Sequence, residues 1–143
     1  MDETDTALLR LLSKNARMPV ATLAKRLGLA RSTVQARLER LEVSGVIAGY
    51  TLRLGAGVLA RRIRATVLLQ IEPRSTAAVL SRLASMDEVE TASTASGRFD
   101  LILQVSADGT SALDRALDAI GAIDGVRATE SLIQLSTKID RAP

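Results

Sequence analysis

The chain contains no cysteine, no histidine and no tryptophan. Without thiols there is no disulfide, no thiolate nucleophile and no cysteine metal ligand. Without imidazole the commonest metal ligand and the commonest general base at neutral pH are missing too. Most enzyme readings weaken at once, and neither a cofactor nor a metal is expected. The aromatics are Tyr50 and Phe99 alone, so a core has to be built from Leu, Val, Ile and Ala. At 47% apolar residues over 143 positions there is enough material for one ordinary domain or two small ones. The acidic start Met1-Asp2-Glu3-Thr4-Asp5 lacks the basic flank of a signal peptide, and no apolar run approaches a membrane span. A soluble, cytoplasmic protein is expected.

Charge is present but unevenly placed. Residues 1–61 hold 10 Lys and Arg against 5 Asp and Glu, whereas residues 62–143 hold 9 against 11. A net +5 followed by a net −2 suggests one module that meets a polyanion and another that does not.

In the first module Asp2 is a candidate N-cap, with Glu3 and Asp5 in the first turn, where carboxylates suit the helix dipole. Leu8, Leu9, Leu11 and Leu12 give that helix a broad apolar face. Pro19 suits the first turn of a second helix, on which Val20, Leu23, Ala24 and Leu27 form the buried stripe, and Gly28 supplies the positive φ that a helix C-terminus uses. The third helix is expected from about Arg31 to Val43. Val34, Leu38 and Leu41 recur at i, i+4 and i+7 and face inward. A helix, a tight turn and an amphipathic helix with a basic outer face is the sequence form of helix-turn-helix. Arg31, Ser32, Thr33 and Gln35, nearest the start of the helix, are the candidates for reading base edges. Arg37 and Arg40, with Lys25 and Arg26 of the preceding helix, are the candidates for phosphate contact. Any one of these arginines could equally serve solubility; the constellation points to DNA. Val46–Leu54 reads as a strand, a small wing, with Tyr50 packed and its hydroxyl tied to backbone. Gly55-Ala56-Gly57 reads as a flexible hinge.

The second module opens on a strand, Ile63–Ile71, apolar enough to be covered on both faces and stopped by Pro73. A helical repeat follows at Thr76, Val79, Leu80, Leu83 and Ala84. A strand at Val89–Thr94, a turn at Ser96-Gly97-Arg98 and a strand at Leu101–Val105 come next. Leu113, Leu117, Ile120 and Ile123 mark a second helix, and Val126–Lys138 a long last strand. The order β-α-β-β-α-β is a ferredoxin-like split βαβ unit. Helices cover one face of such a sheet, and a second copy is the expected cover for the other, making a dimer. The fold expected is α+β: a winged helix-turn-helix at residues 1–54, a linker at 55–61, and a ferredoxin-like domain at 62–143.

The spacing across both modules resembles a known family. Asp2-x-x-Asp5-x-x-Leu8-Leu9-x-x-Leu12, Asn15-Ala16-Arg17 and Leu23-Ala24-x-x-Leu27-Gly28-Leu29 begin the match. Val34-x-x-Arg37-Leu38-x-x-Leu41-x-x-x-Gly45-Val46-Ile47-x-Gly49-Tyr50, Ser96-Gly97-Arg98-Phe99-Asp100 and Ile123-x-Gly125-Val126 complete it. Together these resemble the Lrp/AsnC (feast/famine) transcriptional regulators over essentially the whole chain. The resemblance implies a DNA-binding N-terminal domain and a C-terminal RAM-type domain for effector binding and self-association. It implies dimers that assemble further, often into octamers, and control by a small molecule, usually an amino acid, held at contacts between dimers. The effector loop corresponds to Ser96, Gly97, Arg98, Phe99 and Asp100. The backbone N–H groups around Gly97 could receive a carboxylate, Arg98 could answer it, and Asp100 could accept from an α-ammonium. Thr110 and the last-strand positions Leu132, Ile133 and Gln134 correspond to pocket-lining positions. Two departures stand out: Ala30 and Pro19 occupy positions where relatives carry a Ser or Thr cap.

Two other readings are weighed beside a ligand-responsive regulator. One is an enzyme of the same fold acting on a tetrapyrrole, which would have only Arg, Lys, Tyr50 and carboxylates to work with. The other is an architectural DNA binder that needs no effector.

Overall fold

Helix α1 (Glu3–Lys14) begins the computed structural model, which describes residues 1–141. Asp2 caps it as expected: the Asp5 N–H donates to Asp2 Oδ1 at 2.8 Å and the Asp2 N–H to Asp5 Oδ2 at 3.4 Å, a reciprocal box satisfying two otherwise orphaned donors. Helices α2 (Val20–Leu27) and α3 (Arg31–Val43) complete the first unit, Met1–Arg53. Gly28 ends α2 with φ +67, a left-handed conformation that turns the chain tightly, and the Leu29 N–H reaches back to the Ala24 carbonyl at 2.9 Å. Ala30 precedes α3 in an extended conformation and offers no side-chain cap. Leu8, Leu12, Leu23, Ala24, Val34, Leu38 and Leu41 form one buried cluster, so the inward stripes read from the spacing are the ones that pack.

Two expectations for the segment after α3 are overturned. Residues 46–54 form no strand. An extended segment becomes a strand by laddering with a neighbour, and among the described residues none pairs with this one. Its first tie is instead the Ile47 N–H on the Leu41 carbonyl at 2.9 Å, which binds it to the end of α3. Tyr50 is exposed rather than packed, and its hydroxyl donates to the Glu42 carboxylate at 2.9 Å, not to backbone. In the stretch expected as a hinge, Gly55 precedes a helical turn, α4 (Ala56–Leu59), closed by the Val58 and Leu59 N–H groups on the Gly55 carbonyl.

The second unit, Leu54–Asp140, holds a four-stranded antiparallel sheet in the order β2-β3-β1-β4. The strands are β1 (Arg62–Ile71), β2 (Val89–Thr94), β3 (Leu101–Asp108) and β4 (Val126–Ile133). Helices α5 (Thr76–Ala84) and α6 (Thr110–Gly121) join them as the split βαβ order requires. Ala65, Val67, Leu69 and Ile71 of β1 and Leu101, Leu103, Val105 and Ala107 of β3 turn one face to Val79, Leu83, Leu113 and Ile120 of the helices. Within one chain that face of β1 is the buried one, and the other is left for the second copy expected to cover it: burial alternates from Arg64 to Ile71 because side chains alternate across a pleat. β4 stops at Ile133 instead of running to Lys138: its register with β1 ends at the Ala65–Ile133 pair, and a single further bond, from the Gln134 N–H to the Arg64 carbonyl, follows it.

Candidate DNA interface and effector surfaces

α3 turns Val34, Leu38 and Leu41 inward, and this fixes what its other positions do. Arg31, Ser32, Thr33, Gln35 and Arg40 are exposed on it, as are Lys25 and Arg26 at the end of α2. Seven of the eight positions expected to meet DNA therefore lie at the surface of one helical pair. Arg37 is the exception.

Arg37 points at the start of α1. Its Nη1 donates to Asp2 Oδ2 at 2.7 Å, to Asp2 Oδ1 at 2.9 Å and to Asp5 Oδ1 at 2.9 Å. Arg40 Nη2 approaches the same Asp5 carboxylate at 3.3 and 3.4 Å. The Asp5 side chain is 3% exposed, that of Arg37 23% and that of Arg40 62%. A buried carboxylate without a partner would be costly, and two guanidinium groups satisfy this one. The Arg37 hydrogen bond, and after it the Asp5 N–H, hold the Asp2 carboxyl at about 2. Asp5 is lowered chiefly by the same guanidinium, and Arg37 is raised in return. Arg37, expected as a phosphate contact, thus has its guanidinium engaged by two carboxylates of α1. The partners that decide this, Asp2 and Asp5, were read only as a cap and a first-turn charge. The signal available was their i, i+3 spacing, which puts both carboxylates on one face of α1.

In the second unit the loop Ser96–Asp100 closes against the end of β1. The Asp100 N–H donates to the Leu69 carbonyl at 2.8 Å, and Asp100 Oδ2 accepts from the Ile71 N–H at 2.9 Å. Gln70 Nε2 donates to the Arg98 carbonyl at 2.7 Å, and the Arg98 guanidinium lies 5.4 Å over the Phe99 ring. Asp100 therefore already spends one carboxylate oxygen on backbone, where it was expected to face a ligand ammonium. Gly97 carries φ +127 at the exposed tip.

Thr110, the first residue of α6, and Gln134, just past β4, lie at the other end of the sheet. The Gln134 N–H donates to the Arg64 carbonyl at 2.9 Å, and Leu132 pairs with Thr66. Gln134 lines a recess of about 150 Å³ with Arg62, Arg64, Ser136 and Thr137. From Arg64 to Gln70 is six steps of strand, or about 20 Å. The expected effector positions thus fall into two groups that no single chain brings together. Arg62 and Arg64 were not singled out from the sequence, although Arg-x-Arg at the start of a strand places both on one face.

Comparison with known proteins finds a match for each of the two units. The AsnC-type helix-turn-helix domain matches residues 1–42, and the Lrp/AsnC ligand binding domain matches residues 64–143. The transcriptional regulator LysM of Saccharolobus solfataricus is 32% identical over 138 residues, 96% of this chain and 95% of that one. The structure of Escherichia coli AsnC superposes with a TM-score of 0.90 at 28% identity, over 100% of this chain and 97% of that one. The leucine response regulatory protein LrpA of Mycobacterium tuberculosis does so with a TM-score of 0.80 at 30% identity, over 100% and 98%. Three packed helices followed by a split βαβ sheet, matched in that order by the two family models and over nearly the whole chain by these relatives, place this chain in the Lrp/AsnC family of transcriptional regulators.

Proposed function

We propose that residues 1–54 dock α3 in the major groove of duplex DNA and that residues 62–143 bind an amino-acid effector and associate with further copies. The observation that carries the reading is the exposure of Arg31, Ser32, Thr33 and Gln35 in the first turns of α3, with Lys25 and Arg26 exposed at the end of α2. Donors in this order at the front of a helix suit base edges, and the flanking cations suit phosphates. The activity is binding without a catalytic step, in the cytoplasm where the target DNA lies.

The match to a ligand binding domain and the likeness to a regulator named for its response to leucine support an amino acid as effector. The separation of Ser96–Asp100 from Thr110 and Gln134 supports a pocket completed by a second copy, because a pocket containing both groups takes them from different chains. The polar and apolar open face of the sheet, with Thr66, Leu68, Gln70 and Leu132, supports dimerisation there. Assembly beyond the dimer, up to an octamer, follows if effector sits between dimers. An effector then shifts the assembly only by its difference in affinity for the two states.

Selection of bound duplexes from random sequence at moderate salt, with and without each of the twenty amino acids, tests the reading. A preferred sequence and one amino acid that changes its affinity are expected. Sequence-independent binding under every condition would sink it. A thermal-shift screen identifies the effector independently: a ligand at 100 times its Kd adds about 2.7 kcal/mol to the native state.

A further inference from the structure

The two arginines expected to play the same part on α3 are held very differently by one carboxylate. Asp5 is buried and fixed by the capping box. Arg37 is locked to it at 2.9 Å and to Asp2 at 2.7 Å, and is largely covered. Arg40 touches it only at 3.3 and 3.4 Å and is mostly exposed.

Resting on the DNA reading above, we propose that Asp5 divides the labour of these arginines: Arg37 is a positioning residue that sets α3 against the start of α1, and Arg40 is a tethered phosphate contact. The reasoning is electrostatic and geometric. An arginine enclosed by two carboxylates has its charge balanced before DNA arrives, so it displaces no counterion from a phosphate. What it does instead is join the first turn of α1 to the middle of α3, one turn from the residues that enter the groove. A rotation of α3 by one side chain's width would carry Ser32, Thr33 and Gln35 away from the base edges, so this contact acts on which sequence is read. Arg40 can exchange its long contact for a phosphate oxygen at little loss, because Asp5 keeps Arg37 when Arg40 leaves. Arg37, balanced by Asp2 and Asp5, thus adds no free positive charge to this flank. The cations left to face phosphates are Lys25, Arg26 and Arg40.

The test uses the full chain, a duplex that the wild-type protein selects from random sequence, and an unrelated duplex, each titrated with salt. For R40Q, affinity for both duplexes should fall together. The slope of log affinity against log salt should drop by about 0.9 for each Arg40 engaged, with no change in thermal midpoint. For R37Q the salt slope should stay at the wild-type value. Its ratio of selected to unrelated affinity should fall at least tenfold when affinities are referred to folded protein. D5N should reproduce the loss of ratio and the unchanged slope. R37K, which keeps a cation without the planar fork, should lie between R37Q and wild type. A slope drop of about 0.9 in R37Q or R37K makes Arg37 a phosphate contact and overturns the proposal. An unaltered affinity ratio in folded R37K and D5N, with only the thermal midpoint lowered, makes the cluster purely structural and overturns it too. Loss of all sequence preference in the wild type would instead defeat the DNA reading on which it rests.

Discussion

Asp2 and Asp5 stand three residues apart at the start of α1 and meet one guanidinium from α3, and this gives the N-terminal unit an acid limit. Both carboxyls are depressed in the folded chain, Asp2 from an ordinary 3.8 to about 2, first by the Arg37 hydrogen bond. A carboxylate depressed by folding lends stability that is complete above its unfolded value and lost as pH falls through its folded value. The N-terminal unit should therefore lose stability as pH drops from the ordinary 3.8 toward 2. D2N and D5N should be less stable than wild type at neutral pH and should show a flatter decline, which thermal melts across that range would reveal. Gly125 carries a second constraint of single-residue kind. Its φ is +97, and an added Cβ would fall on the Ser75 side chain at the start of α5. G125A should cost at least about 1 kcal/mol in urea unfolding, through strain and overlap together. The double variant with S75G should recover the overlap and leave the strain.

Elements differ in how much help their own ends provide. α1 has a complete capping box, whereas α3 begins after Ala30 with no side-chain acceptor for its first N–H groups. Ala30 already has the extended backbone of an N-cap, φ −70 and ψ 149, so a hydroxyl placed there needs no rearrangement. A30S should raise stability by about 1 kcal/mol in urea unfolding. An unchanged midpoint would mean that water already serves those donors equally well. The segment after α3 illustrates the opposite case. Val46, Ile47, Tyr50 and Leu52 have strand-like composition, yet no ladder forms, because β-structure is a property of a pair and not of a segment.

At the scale of the whole chain, the sheet of the second unit is finished on one face only. Leu68 is half-buried and Leu132 half-exposed on the side away from α5 and α6, amid Thr66, Gln70 and Gln104. L68E should give a folded monomer, whereas the wild-type chain, sedimented or measured by light scattering, should be at least a dimer. If L68E keeps the wild-type mass, this face is not where copies meet. Loss of the dimer should also lower affinity for a two-half-site duplex far more than for a single half-site, since one chain carries one reading helix.

Local periodicity was enough to place the first three helices and the β-α-β-β-α-β order of the second unit, but not the segment after α3 or the end of β4. Val34, Leu38 and Leu41 could face only one way on a helix. The apolar run Ile63–Ile71 reads as a strand, and Pro73, Gly28 and Gly125 stand where the chain turns. Those signals depend on neighbours within a turn or a pleat, and they are complete in the sequence. So is the division into a basic and an acidic half. What tertiary structure alone decided is the fate of polar groups whose partners lie far along the chain. Arg37 and Asp5 are 32 positions apart, and Asp100 meets Ile71 across 29. Nothing in the spacing of one element shows which of its charges another element will claim. Two arginines three residues apart on one helix looked alike as a pattern; a single buried carboxylate, delivered by the packing of α1 on α3, made one an anchor and left the other at the surface.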